Sequence, residues 1–142
     1  MKLDELHSEI EADSEVDNSN LIRSSIQIPK LHAKYYRLLS TEGRLMKKLE
    51  LDMDSLRLSK FEYYTHKAPD AVYLDKPLPQ KILKGDVDLY MDGDKEIIEL
   101  KGKIYTQQLK VKAIEGFIKE LNQRGYLIKA IIDWNKFTNG VN

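Results

Sequence analysis

Apolar residues recur along nearly the whole chain at three- and four-residue steps, the spacing that lines one face of an α-helix. Leu3, Leu6 and Ile10 begin this pattern and predict a short first helix. DSEVDNSN then interrupts it with Asp, Ser and Asn, residues suited to turns and N-caps. From Leu21 to about His66 the pattern is mostly helical. Pro29 has no N–H and is expected to end or kink a helix near Ile28, and Gly43 marks a second weak point. Leu45, Leu49, Met53 and Leu56 continue the apolar steps, with charges between them.

The segment KAPDAVYLDKPLPQ, with three prolines, is the clearest connector. Beyond it, Ile97, Leu100, Ile104, Val111, Ile114, Ile118 and Leu121 form one long stripe. Its period is close to that of a coiled coil or a helix in a bundle. Gly125, preceded by Asn122-Gln123-Arg124, reads as a C-cap with a cation in the last turn. The tail YLIKAIIDWNKFTNG fits a helix better than a strand, because Ile128, Ile131, Ile132 and Trp134 sit mostly on one side. The expected fold is therefore all-α: a single domain of two elongated helical arms, 1–67 and 82–142, joined by a Pro-rich connector at 68–81.

Composition narrows the function classes. At 142 residues, 42% hydrophobic and 32% charged, the chain can bury a modest core. No apolar run approaches the roughly 18 residues of a membrane span. The acidic, periodic start MKLDELHSEIEAD resembles neither a signal nor a transit peptide. With no cysteine, disulfides and thiolate chemistry are excluded, in keeping with a reducing cytosol. The formal net charge of zero hides a gradient. Residues 1–20 hold one Lys and seven acids, 21–67 ten cations and five acids, and 68–142 twelve and eleven.

The basic middle contains SKFEYYTHKA at 59–68. On a helix, Arg57, Lys60, Tyr64 and Lys67 follow one another at three or four residues, with Tyr63 beside them. Cations beside aromatic faces are what single-stranded nucleic acid requires, phosphates for the first and bases for the second. Arg44, Lys47 and Lys48 extend the track upstream. The plainer reading is a solvated helix end whose tyrosines pack on a neighbour. A rival signal lies in GDVDLYMDGDKEIIELKGK, where Asp88, an Asp92-Gly93 turn, Glu99 and Lys101 follow the layout of a metal-dependent nuclease. That layout needs a strand at 96–101, whereas the apolar period there is helical. No phosphate-binding loop or G-x-S-x-G occurs, and His7, His32 and His66 lack metal-ligand spacing, so neither cofactor nor metal is expected. His7 and His32 read as helix-surface residues, and Trp134, flanked by isoleucines, as core rather than a stacking platform.

The start MKLDEL with its acidic run, the KFEYY segment and the ending LNQRGYLIKAIIDWNKFTNG together resemble the UvsY family of phage recombination mediators. The order is shared: a long helix, an R-G-aromatic break, and an apolar segment closing in F-x-x-G. The resemblance implies a non-enzymatic protein that binds single-stranded DNA in the cytoplasm of an infected bacterium. It further implies loading of a RecA-like recombinase onto strands coated by the phage single-strand-binding protein. The family motif has two basic residues one position apart, then an acid and a tyrosine pair. Lys60, Glu62 and Tyr63-Tyr64 match it, whereas Leu58 occupies the first basic position and Arg57 or Lys67 is left to substitute. The resemblance also implies a ring of six or seven subunits closed by the C-terminal region. There, Ile104, Val111, Ile118, Ile128, Ile131 and Trp134 present more apolar surface than so small a chain is expected to bury alone. A helical phage scaffold, with ring formation as its function, is the remaining alternative.

Overall fold

The computed structural model describes residues 1–140, and every element among them is helical. They are α1 (Leu3–Ser14), α2 (Leu21–Tyr64), α3 (Asp70–Asp75), a 3-10 turn (Lys84–Asp86), α4 (Val87–Asp92) and α5 (Lys95–Thr138). The chain divides into two compact units, one of Met1–Arg44 with the residues from Gln108 onward, the other of Leu45–Gln107. Helices α2 and α5 contribute to both. Among the described residues no helix is long and apolar enough to cross a membrane.

The turn-forming stretch before α2 acts as its sequence suggests. The Asn20 side chain accepts the Arg23 amide at 3.1 Å and caps the helix, and Asp17 Oδ1 accepts the Ser19 amide at 2.9 Å. Neither Pro29 nor Gly125 ends its helix. α2 runs through Pro29, and Pro29 and Ser25 are both exposed, so the hydrogen bond that proline removes lies on the solvent side of the helix. α5 likewise runs through Gly125, and the tail is helical as far as Thr138. The residues on either side hold it there. Buried Arg124 donates to the Asp13 carbonyl at 2.9 Å and lies over the Phe117 ring, and Ile128 is buried as well. A glycine inside a helix costs about 1 kcal/mol, less than these anchors contribute together.

In the first unit, α1 and parts of α2 and α5 close around Leu6, Tyr35, Ile114, Phe117, Ile118 and Leu121. The Tyr35 ring meets Phe117 edge-on, with centroids 4.5 Å apart. Its hydroxyl donates to Asp13 Oδ2 at 2.8 Å, an oxygen shared with Lys34 Nζ at 2.6 Å. A buried ion pair, Lys110 to Glu42 at 2.8 Å, joins α5 to α2. The stripe on α5 is thus consumed within the chain: Ile97, Ile114, Ile118 and Leu121 are all buried, Ile104 and Val111 half-buried.

In the second unit, Val87, Met91 and Ile97 form the core, and Met53, Leu56, Tyr64 and Ile82 pack against it. Within the proline-containing stretch, Asp70–Asp75 forms α3, whose Tyr73 hydroxyl donates to the Tyr63 carbonyl at 2.9 Å. α2 ends in a Schellman turn: the His66 amide donates to the Tyr63 carbonyl and the Lys67 amide to the Glu62 carbonyl. His66 occupies the left-handed position, φ +58°, where glycine is usual. Its ring stacks on Tyr73, and Nε2 lies 3.0 Å from the Gln80 carbonyl oxygen. His7 is exposed as expected, while His32 is half-buried against Tyr36.

Candidate nucleic-acid interface

The basic and aromatic residues near the end of α2 are organised by one carboxylate, Asp94. It is the N-cap of α5, with Oδ1 accepting the Glu96 amide at 2.9 Å and the Ile97 amide at 3.3 Å. Its other oxygen, Oδ2, accepts the Tyr64 hydroxyl at 2.7 Å and Lys60 Nζ at 3.2 Å. Burial pushes the Asp94 carboxyl up, but the bonds from Tyr64, Lys60 and the Ile97 amide outweigh it and hold the group below the usual carboxylate range. Glu96, bonded by Lys76 and Lys60, is also held low. Burial and the Asp94 charge push the Tyr64 phenol up.

The helical spacing of Arg57, Lys60 and Tyr64 is real, but their face is the inward one that also carries Met53 and Leu56. Arg57, Lys60, Tyr63 and Tyr64 of the expected basic–aromatic face are half-buried. The Lys60 side chain is 13% exposed and pairs with both Asp94 and Glu96. Tyr64 packs on the core, and Tyr63, whose hydroxyl donates to the Lys76 carbonyl at 3.1 Å, stacks on Tyr73. Arg57 is half-buried. Lys67 is exposed and lies over the Phe61 ring, and Lys47, Lys48 and Arg44 are exposed. Beside the tyrosines, a cleft of about 450 Å³ is lined by Lys60, Tyr63, Lys76 and Glu96 among others.

The nuclease arrangement does not assemble. Residues 96–101 are the first turns of α5, not a strand, because Asp94 caps a helix there. Glu99 pairs with Lys103 one turn on, and Lys101 with Asp92 at 3.6 Å, while Asp88 is exposed on α4. Sequence reading missed Asp94 as the organiser, although the run GDKEI, an Asp three residues before the first buried isoleucine, is a cap signal.

At the far end of α5, Ile118 and Ile128 are buried within the chain and Ile131 is half-buried. Trp134 is not core: it is 63% exposed and contacts Phe137, itself exposed, as are Tyr126 and Leu127.

Residues 9–141 match the family model described as the recombination, repair and single-stranded-DNA-binding protein UvsY. No curated protein sequence matches the chain. Among solved structures, the crystal structure of the bacteriophage T4 recombination mediator protein UvsY in lattice type II superposes with a TM-score of 0.86 at 19% identity, covering 98% of each chain. Lattice type I of that protein gives 0.83 at 18% identity, over 94% of this chain and 98% of that one. Lattice type IV gives 0.82 at 17%, over 97% and 99%. These structures share the fold, and since the family model spans nearly the whole sequence, the chain belongs to the UvsY family.

Proposed function

We propose that this protein is a non-enzymatic recombination mediator of a phage. It binds single-stranded DNA in the host cytoplasm and helps a RecA-like recombinase load onto strands coated by single-strand-binding protein. The observation that carries the reading is the family match over residues 9–141. The DNA site combines the exposed cations Lys47, Lys48 and Lys67 with the half-buried Arg57. Lys60, Tyr63 and Tyr64 build the scaffold beneath, and Lys60 reaches a phosphate only by leaving Asp94 and Glu96. The subunits close into a ring of six or seven through the exposed apolar end of α5, where Tyr126, Leu127, Trp134 and Phe137 replace the buried Ile118 and Ile128 as contacts. A ring multiplies modest sites by avidity.

Fluorescence anisotropy with a labelled oligodeoxythymidylate tests the site. The paired change Lys47→Ala/Lys48→Ala is expected to weaken binding and to lower the salt slope by about 0.7 for each lost phosphate contact. An affinity and slope equal to wild type remove these lysines from the site. Absence of any single-strand binding by the wild-type protein overturns the function itself.

A further inference from the structure

The first half of α2 carries a second pattern that nucleic-acid binding does not use. Ile22, Pro29 and Tyr36 recur every seven residues, with Ile26 and Ala33 set between them. These are the d and a positions of a heptad, and all five are exposed. Ile22 is 75% exposed, Ile26 70% and Tyr36 51%. Beside this seam, Arg23, Lys30, Arg37 and Arg44 occupy four successive e positions, all exposed. They stand about 10.5 Å apart along the helix axis. None of the four makes an ion pair among the described residues, whereas neighbouring Lys34 is held by Glu9 and Asp13. Between Leu21 and Thr41 the helix contains no Asp or Glu.

We propose that this face of the first unit is a docking site for an acidic amphipathic helix of a partner protein. Charge complementarity selects the occupant. A row of e-position cations, of which only Arg23 feels a nearby carboxylate, that of Asp17, and none is in an ion pair, is completed by carboxylates flanking the apolar seam of an incoming helix. The apolar half of the pattern separates this occupant from a DNA strand. Bases stack on successive aromatic faces, but the seam offers one exposed tyrosine among aliphatic side chains. Ile22 and Ile26 give nothing to a phosphate, whereas in a helix-on-helix contact they enter the partner's seam. The proposal is independent of the single-strand site assigned above.

The probe is a synthetic helical peptide about four heptads long, with Ile at a, Leu at d and Glu at both e and g. Repulsion among its carboxylates keeps it from pairing with itself. A second peptide carries Lys in place of every Glu. Titration calorimetry with the full chain is expected to show binding of the acidic peptide and none of the basic one. Lys30→Glu/Arg37→Glu reverses two exposed charges away from any buried contact. It is expected to weaken the acidic peptide by at least about tenfold and to let the basic peptide bind. Ile26→Ser is expected to weaken both pairings while leaving the oligodeoxythymidylate affinity unchanged. Failure of the wild type to bind the acidic peptide overturns the proposal. So does loss of oligonucleotide binding in Lys30→Glu/Arg37→Glu with peptide binding intact, which assigns the row to DNA. A change in assembly mass on Ile26→Ser also overturns it, by making the face a joint between subunits.

Discussion

Replacing Tyr64 with Phe removes one oxygen and nothing else from the second unit. The ring still fills its place against Val87, Met91 and Ile97, so no cavity is created. What disappears is the hydroxyl that donates 2.7 Å to Asp94 Oδ2. Asp94 is 8% exposed, so water does not readily take over the bond. Three donors remain: Lys60 on the same oxygen and the Glu96 and Ile97 amides on the other. A hydrogen bond to a charged acceptor contributes about 1.5–3 kcal/mol, and leaving a buried acceptor short costs a similar amount. The three surviving bonds put the expected loss toward the lower end of that range. Urea unfolding followed by circular dichroism, at one fixed protein concentration because assembly adds to apparent stability, measures it. The cycle with Asp94→Asn isolates the pair and is expected to show a coupling energy of about 0.5–3 kcal/mol. Oligonucleotide affinity, measured where both proteins are folded, is expected to be unchanged in Tyr64→Phe. A Tyr64→Phe protein as stable as wild type, with no coupling to Asp94, refutes the reasoning. If Tyr64→Ala then abolishes DNA binding in a folded protein, the ring is a stacking platform after all.

Three further outcomes follow from the same geometry. Because hydrogen bonds hold Asp94 and Glu96 below their ordinary range, the folded state binds fewer protons than the unfolded chain as those groups titrate. The stability they contribute is therefore present above about pH 4 and lost as pH falls through their folded values; a urea midpoint in Asp94→Asn that is as acid-sensitive as in wild type contradicts this. At His66, whose φ is +58°, His66→Ala keeps the left-handed strain while losing the contacts to Tyr73 and Gln80, so His66→Gly is expected to unfold later than His66→Ala by about 1 kcal/mol in a thermal or urea melt. Lys110→Met removes the 2.8 Å partner of buried Glu42, beside which the N-terminal ammonium still stands at 4.0 Å, and is expected to cost about 1–3 kcal/mol by denaturant titration, whereas Glu42→Met/Lys110→Met costs less than the single change.

Much of the architecture is local and was legible in the chain itself. Apolar residues at helical spacing specified α1, most of α2 and the long stripe of α5, because a helix's periodicity is written in consecutive residues. The turn before α2 was readable for the same reason, with Asn20 capping the helix three residues after the run of acids ends at Asp17. Similarity of the start, the tyrosine pair and the ending identified the family. α2 continues past Pro29 and α5 past Gly125 because a local penalty of one to a few kcal/mol is decided by what surrounds it. Exposure of Ser25 and Pro29 in one case, and the reach of Arg124 to Asp13 across the chain in the other, are tertiary facts. The same distinction governs the site. Sequence spacing placed Lys60 and Tyr64 on one face of α2, but not whether that face met solvent or protein. The answer came from Asp94, thirty positions beyond Tyr64, whose carboxylate draws the hydroxyl and the ammonium inward. Trp134 inverts the case: isoleucine neighbours suggested a core, yet Ile132 and Trp134 are both exposed. Helical periodicity is a property of neighbours in sequence, and which side of a helix is covered depends on residues far along the chain that only folding brings near.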